Sequence, residues 1–180
     1  MLKKLLVIPV IIALSFSTIA CEKSDYNNSE NNEYNSTQLL NSTKKAADFS
    51  LKTPDGKIVK LSDYKNKIVI IDFWATWCPP CRKGIPDLIA IQKEYKDDVV
   101  VIGISLDRDN TIADVAPFIK NYGINYPVVF GNMEVVKAYG GVEAIPTSFI
   151  VDKKGNIVDT HVGLVPKETY TSLIKSLLKK

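Results

Sequence analysis

Two cysteines three positions apart are the residues of this chain most able to do chemistry. They occur in the run Cys78-Pro79-Pro80-Cys81, where a strongly apolar segment gives way to a helix-forming one. The 180-residue chain has only three cysteines, so two of them are committed to this short segment. Such a pair serves either dithiol–disulfide exchange or metal binding. A structural zinc site needs four ligands, and the only histidine, His161, is expected within a strand. We therefore predict redox chemistry and no metal.

The position of Cys78 bears on the reactivity of its sulfur. A thiolate attacks disulfides, and a helix N-terminus lowers a thiol pKa below its ordinary value of about 8.5. Pro79 and Pro80 suit the first helical positions but have no N–H to offer the sulfur. We expect the sulfur to accept the backbone N–H of Cys81 and the Cys78 pKa to be moderately depressed. A weakly stabilised thiolate favours a reductase over an oxidase.

Asp72 is the candidate partner of the second cysteine. We expect Cys81 to face inward and to resolve the mixed disulfide formed by Cys78, for which its thiol must lose a proton. Asp72 lies on the apolar segment before the cysteines, where burial would raise its pKa. Such a carboxylate could accept the proton of a buried thiol. The alternative is an aspartate at a strand end turned toward solvent.

Ile145-Pro146-Thr147 forms a second candidate element of the site, just before a predicted strand. A cis peptide bond at Pro146 would leave the backbone of Ile145 unpaired and able to pair with an extended substrate segment. A trans proline opening an edge strand is the alternative. The spacing alone leaves both open.

The elements that must position these residues alternate between strand and helix patterns. Ile68 to Trp74 and Val99 to Leu106 are nearly continuous apolar runs, typical of strands buried on both faces. A helical pattern between them predicts a parallel pair with a right-handed crossover. The other predicted elements are an N-terminal β-hairpin from Phe49 to Leu61, a polar connection from Leu61 to Asn66, helices from about Val115, Met133 and Pro166, and strands ending at Phe130, Val151 and Val162. We predict an α/β fold with a central mixed β-sheet flanked by helices.

The N-terminus has the pattern of a targeting signal. Lys3 and Lys4 precede an apolar stretch that is short and interrupted for a membrane span, and we assign residues 1–20 to a signal peptide. The run Thr18-Ile19-Ala20-Cys21 resembles a bacterial lipobox, which implies lipidation of Cys21. Thr18 departs from the usual aliphatic residue. The alternatives are an ordinary signal peptide or an uncleaved anchor.

Composition divides the rest of the chain in two. Residues 21–45 are rich in Asn, Ser and charged side chains without an apolar period, so we predict a disordered, lipid-anchored tether. Residues 46–180 form the predicted folded domain. The net charge of +3 is small and evenly spread, so we expect no nucleic-acid partner. An exported domain lies where disulfides persist.

The motifs together resemble a known family. The run from Asp72 to Cys81 and the run Ile145-Pro146-Thr147 are similar to a thioredoxin-fold active site with its cis-proline loop. The hairpin, the extra strand–helix insertion before Gly140 and the lipoprotein signal resemble the TlpA/ResA-like branch. The start at Asp48 resembles the redoxin and alkyl hydroperoxide reductase superfamily.

This resemblance implies a membrane-tethered thiol–disulfide oxidoreductase outside a bacterial cytoplasm. The substrates would be protein disulfides, and an integral membrane thiol donor would supply electrons. No cofactor is expected beyond the redox-active Cys78–Cys81 pair, and a monomer is expected. Trp77, Pro79, Ile145 and Pro146 are the implied substrate-binding residues. The family leaves open apocytochrome c reduction, repair of oxidised proteins and spore-envelope chemistry.

Two departures from the family pattern concern carboxylates. Many relatives carry Glu where this chain has Gly84, and Asn where it has Asp72. We hypothesise that Asp72 supplies the buried carboxylate that Gly84 cannot. A disulfide oxidase remains the main alternative to a reductase. A thiol peroxidase would need a Pro-x-x-x-Thr-x-x-Cys segment, which the sequence lacks.

Overall fold

Strand β3, Ile68–Trp74, runs through the middle of a five-stranded sheet and leads directly into the candidate site. The structure is a computed structural model that describes residues 44–179. The predicted signal peptide, the predicted lipidation site Cys21 and nearly all of the predicted tether lie outside those residues. All seven residues of β3 are buried, as their continuous apolar and β-branched character predicts.

The sheet is mixed, as predicted. Its other strands are β4 (Val99–Ser105), β5 (Val128–Phe130), β6 (Thr147–Val151) and β7 (Ile157–Val162). They are ordered β5-β4-β3-β6-β7. The first three strands run parallel, whereas β6 is antiparallel to both β3 and β7. The carboxyl end of β3 therefore meets the start of β6, and the two predicted motifs come together there.

Helices cover both faces of the sheet. They are α1 (Pro79–Glu94), α2 (Val115–Tyr122), α3 (Met133–Ala138) and α4 (Lys167–Leu178). Helices α1, α2 and α4 pack on one face around a core that includes both cysteines. Helix α3 packs on the other face. None of the helices within residues 44–179 is long and apolar enough to cross a membrane.

The N-terminal hairpin completes the second face. Its strands, β1 (Ser50–Lys52) and β2 (Ile58–Lys60), pair antiparallel. The hairpin buries Phe49, Leu51 and Val59 against the sheet. The alternation of apolar and polar residues in this segment predicts such one-sided burial.

Two predicted boundaries differ from the structure. The predicted polar connection after β2 contains a 3₁₀ helix at Leu61–Tyr64, stabilised because the Lys60 N–H donates to Asp63 Oδ2 at 3.0 Å. Helix α4 starts at Lys167 rather than at Pro166. Pro166 has extended backbone angles, φ −63° and ψ 149°, so it caps the helix instead of forming its first turn.

Candidate active site

Cys78 caps the N-terminus of α1. Its extended backbone, φ −89° and ψ 107°, places the sulfur over the first turn, where Sγ accepts the Cys81 N–H at 3.3 Å. Pro79 and Pro80 occupy the first two helical positions. The predicted acceptor role of the Cys78 sulfur is therefore confirmed. Within residues 44–179 the sulfur accepts no second N–H.

The two cysteines form a disulfide, with their Cα atoms 5.3 Å apart. Each cysteine is only 3% exposed, so exposure does not distinguish their roles. Their surroundings do, because Cys81 lines an internal cavity and Cys78 does not. Trp77, next to Cys78, is 58% exposed. The residue before Cys78 is therefore exposed, whereas Cys81 faces the internal cavity, as predicted.

The peptide bond between Ile145 and Pro146 is cis, which resolves the alternatives left open by the spacing. The Ile145 carbonyl oxygen lies 3.7 Å from Cys78 Sγ. Within residues 44–179 the backbone of Ile145 makes no hydrogen bond to another backbone group. The Gly163 N–H donates to the Pro146 carbonyl at 2.7 Å, which ties this loop to the end of β7. Unpaired backbone thus lies directly beside the reactive sulfur.

Asp72 is buried on the face of β3 that packs against α1. It is 4% exposed, and burial raises its pKa to about 7 despite a hydrogen bond from Ser148 that favours the charged form. Ser148 Oγ donates to Asp72 Oδ1 at 2.7 Å. The predicted burial of Asp72 is confirmed, and the alternative of a solvent-turned side chain is wrong.

A small cavity connects this carboxylate with Cys81. It has a volume of about 20 Å³, and its wall includes Asp72, Cys81, Leu88, Pro146 and Tyr170. A cavity needs roughly 10–15 Å³ to hold one water molecule. In the reduced protein a proton could therefore pass between the Cys81 thiol and the Asp72 carboxylate through a single water.

Gly84 and Leu164 close the same cavity on the outer side. A Cβ atom at Gly84 would lie 3.1 Å from Leu164 Cδ1. An apolar side chain thus fills the space next to Gly84, the position at which the family resemblance led us to expect Glu. The carboxylate of this site is on the strand and not on the helix.

Asp107 is a site residue that sequence reasoning missed. This carboxylate is 2% exposed and follows the end of β4. Its oxygens accept the Thr76 N–H at 2.9 Å, the Thr76 hydroxyl at 2.6 Å and the Ser105 hydroxyl at 2.9 Å. Asp107 therefore fixes the loop that leads from β3 to Cys78. Ser148 and Tyr170 were also missed as site residues, because the sequence shows them only as strand and core positions.

A cavity of about 430 Å³ lies beside the hairpin, lined in part by Phe49, Lys60 and Ala138, and two further cavities also lie outside the dithiol. One of about 390 Å³ is an open groove beside the exposed Trp77, lined also by Arg82, Phe118 and Tyr122. Arg82 Nε donates to the Tyr122 hydroxyl at 2.9 Å, and its guanidinium lies over that ring. The other, of about 520 Å³, is lined by residues near Lys45 and Lys65 and by neither cysteine. We place the reaction at the disulfide, because a thiol exchange must reach a sulfur atom.

The protein has a mixed sheet flanked by four helices, a cysteine pair at a helix N-terminus and a cis-proline loop against the first sulfur of that pair. These features define a thioredoxin-fold thiol–disulfide oxidoreductase. Comparison with known proteins agrees. Residues 43–160 match the AhpC/TSA family, and the chain belongs to that family. Thiol-disulfide oxidoreductase ResA of Bacillus thuringiensis strain Al Hakam is 36% identical over 134 residues, which cover 74% of this chain and 77% of that protein.

Two solved structures share the fold and a substantial part of the sequence. A thiol:disulfide interchange protein DsbE of Chlorobium tepidum superposes with a TM-score of 0.69 at 35% identity, covering 76% of this chain and 96% of that one. The exposed lipoprotein thioredoxin Etrx1 of Streptococcus pneumoniae strain TIGR4 gives a TM-score of 0.64 at 37% identity, with 73% and 100% covered. The likeness therefore extends over nearly the whole of both solved chains.

Proposed function

We propose that this oxidoreductase is a membrane-tethered, extracytoplasmic reductase of protein disulfides. Cys78 attacks, Cys81 resolves, and Asp72 accepts the proton of Cys81. The Cys78–Cys81 pair is the only redox group that the reaction requires. The observation that carries this proposal is the single N–H, from Cys81, that Cys78 Sγ accepts at the start of α1.

The two steps balance as follows. The Cys78 thiolate attacks one sulfur of the substrate disulfide and forms a mixed disulfide, and the other substrate sulfur leaves as a thiolate that takes up a proton. Cys81 then gives its proton to Asp72, and its thiolate attacks the sulfur of Cys78. The second substrate sulfur leaves and is protonated. Two electrons pass to the substrate, and the enzyme is left with the Cys78–Cys81 disulfide.

The direction of the reaction follows from how weakly the structure stabilises a thiolate at Cys78. A strongly stabilised thiolate makes the reduced enzyme stable and the disulfide oxidising. Here the helix N-terminus offers one N–H, and the two prolines of the first turn offer none. The charge of Arg82 is held over the ring of Tyr122. This environment supports a reducing pair.

The reduction potential tests the direction. We expect a value near the roughly −270 mV of thioredoxin, measured by equilibration with defined glutathione or dithiothreitol buffers. A value close to the roughly −120 mV of a strong oxidant would contradict the proposal and support a disulfide oxidase.

Replacing Asp72 with Asn tests the proton acceptor. General base catalysis contributes at least about a hundredfold, so Asp72→Asn should slow resolution of the mixed disulfide by about that factor near pH 8. Stopped-flow release of the second thiol of a model peptide measures this step, whereas attack by Cys78 should change little. Asp97→Asn, which changes an exposed carboxylate between α1 and β4, serves as the matched control. An unchanged resolution rate would show that Asp72 is not the acceptor.

The substrate surface is proposed to comprise Trp77, Pro79, Ile145 and Pro146. The exposed ring of Trp77 offers apolar contact, and the unpaired backbone of Ile145 can add an extended peptide by main-chain hydrogen bonds. The natural partner can be identified by replacing Cys81 with Ser, which holds substrates as mixed disulfides on Cys78. Capture of apocytochrome c, of other exported proteins or of spore-envelope proteins would then separate the possible roles.

The tether is proposed to be anchored through lipid on Cys21. The lipobox-like run Thr18 to Cys21 supports this, as does the description of one similar structure as an exposed lipoprotein. Metabolic labelling with a fatty acid should mark the wild type but not Cys21→Ser, and only the wild type should pellet with membranes. An integral membrane thiol protein is the proposed electron donor.

The family match also makes a thiol-dependent peroxidase worth testing. The sequence lacks the Pro-x-x-x-Thr-x-x-Cys segment that would prepare a cysteine for peroxide. We therefore expect slow peroxide consumption with a thiol donor. Rapid turnover would assign the dithiol to peroxide instead of to protein disulfides.

A further inference from the structure

A row of three polar residues crosses the sheet behind the dithiol. Asp72 on β3 pairs in register with Ser148 on β6, and Ser148 pairs with His161 on β7. Residues directly opposite each other in a sheet point to the same face. This is the face against which α1 and α4 pack, so the row lies between the buried cysteine and the last helix.

Hydrogen bonds extend the row to α4. Ser148 Oγ lies 2.7 Å from Asp72 Oδ1 and 2.8 Å from the hydroxyl of Tyr170. Ser148 is 1% exposed and Tyr170 is 5% exposed. Both hydroxyls are thus buried, and each finds its partner within the chain Tyr170–Ser148–Asp72.

The direction of these bonds follows from the chemistry of the groups. An ionised carboxylate can only accept, so Ser148 donates to Asp72 Oδ1. The single hydroxyl proton of Ser148 is then used, and Tyr170 must be the donor to Ser148. Burial raises the pKa of Tyr170 well above its ordinary range, so its hydroxyl remains a donor. Both bonds therefore favour the charged form of Asp72.

The same arrangement orients the carboxyl group. Oδ1 is engaged by Ser148, whereas Oδ2 accepts no hydrogen bond within residues 44–179. Asp72 and Cys81 line one cavity, which Tyr170 also lines. The oxygen left free is thus the one available for the proton of the thiol.

We propose that Ser148 and Tyr170 are positioning residues that orient Asp72 and set how readily it takes up the proton of Cys81. The inference deepens the proposed role of Asp72 and rests on it. Within residues 44–179 neither residue makes a hydrogen bond to a cysteine sulfur. They act through the carboxylate: Ser148 holds one oxygen with the single hydrogen bond that Asp72 accepts in this part of the chain, and Tyr170 supports that bond by donating to Ser148.

Other titratable groups also lie around Asp72 and Tyr170. Cys81 faces Asp72 from α1. Burial raises the pKa of Tyr170, and the negative charges of Asp72 and then of Asp87 on α1 add to the rise. Tyr126 precedes β5, and burial, with a smaller contribution from the charge of Asp72, raises its pKa. His161 packs edge-on against Tyr170 and lies 3.5 Å from Asp159. Within residues 44–179 only Ser148 donates a hydrogen bond to Asp72.

The experiment is a carbon NMR titration of the Asp72 carboxyl group in the oxidised protein. Loss of a hydrogen bond to a charged group should move the midpoint of Asp72 upward by about one pH unit in Ser148→Ala. Tyr170→Phe removes only the outer hydroxyl, and its upward shift should be about half as large. Ser148→Thr keeps the hydroxyl and should keep the midpoint.

Ser176→Ala is the matched control, because it removes an exposed hydroxyl from α4, the helix that carries Tyr170. Midpoints that do not move in Ser148→Ala and Tyr170→Phe would overturn the inference, as would equal shifts in the control. Tyr170→Phe preserves the size of the ring, so the test does not depend on Ser148→Ala being well folded. The titration needs no turnover. Failure of the positioning role is therefore distinguishable from failure of Asp72 as proton acceptor, which the resolution rate of Asp72→Asn tests.

Discussion

Two buried aspartates lie near the active site, one within β3 and one just beyond the neighbouring β4, and their surroundings differ sharply. Asp107, just beyond the end of β4, accepts three hydrogen bonds, from the Thr76 N–H, the Thr76 hydroxyl and the Ser105 hydroxyl. Asp72, within β3, accepts one, from Ser148. Both carboxylates are less than 5% exposed. Burial is therefore common to the two, and the number of donors separates them.

The number of donors suits one carboxylate to a structural role and the other to proton transfer. A buried carboxylate with several donors is a good anchor, because its desolvation is offset by charge-assisted bonds. Asp107 uses them to fix the loop before Cys78. A buried carboxylate with one donor is poorly compensated, and burial accordingly raises the pKa of Asp72 to about 7. A group that titrates there can exchange protons with a thiol near neutral pH.

The largest predicted effect is on the pH dependence of stability. The pKa of Asp72 rises from 3.8 to about 7 on folding, so between those values the folded state binds a proton that the unfolded chain has lost. The contribution of Asp72 to stability must therefore fall as pH rises from about 4 to about 7. A shift of about three units at about 1.4 kcal/mol each gives a loss of about 4 kcal/mol.

Asp72→Asn removes this titration and provides the comparison. Urea unfolding of the oxidised proteins should show the variant gaining about 4 kcal/mol over the wild type between pH 4 and pH 7. All other groups titrate in both proteins and cancel in the difference. Parallel stability profiles would mean that Asp72 is compensated as well as Asp107, and the contrast between the two would be lost.

Asp107→Ala should have the next largest effect, a loss of stability instead of the relative gain expected for Asp72→Asn. It leaves three buried donors without an acceptor, which should lower the free energy of unfolding by about 3 kcal/mol at neutral pH. Urea unfolding measures the loss. Asp107→Asn keeps the shape and one carbonyl oxygen, so it should recover about half. A loss below about 1 kcal/mol in Asp107→Ala would show that Asp107 does not anchor the loop.

The parts of this site that could be predicted from sequence are those determined by local pattern. Strand β3 has its predicted bounds because all of its residues suit burial on both faces. The start of α1 follows from Pro79 and Pro80, and the interaction of the Cys78 sulfur with the Cys81 N–H follows from that start. The burial of Asp72 follows from the apolar character of its strand.

The residues that were missed depend on register and on contacts between distant segments. Ser148 meets Asp72 across 76 positions of sequence, and only the pairing of β3 with β6 brings them together. Tyr170 reaches Ser148 through the packing of α4. Asp107 did leave a signal, because a polar residue directly after a buried parallel strand lies at the same sheet edge as Cys78.

The outer wall of the cavity offers a test with a smaller expected effect, in which the pKa of Asp72 should fall instead of rise. Leu164 is 47% exposed, yet it lies over Gly84 and closes the space shared by Asp72 and Cys81. Leu164→Ala should admit water and weaken the desolvation of Asp72. The pKa of Asp72 should then fall from about 7, by roughly half a pH unit to one unit.

Titration of the Asp72 carboxyl group by carbon NMR measures this fall. Val162→Ala is the matched control, because Val162 is more exposed, at 67%, and does not line the cavity. A downward shift in Leu164→Ala, beside an upward shift in Ser148→Ala, would show two independent determinants of one carboxylate: water exclusion, which raises its pKa, and hydrogen bonding, which lowers it. If Leu164→Ala left the midpoint in place, burial by the rest of the core would be sufficient, and the apolar contact at Gly84 would have no part in setting the pKa of Asp72, the proposed proton acceptor.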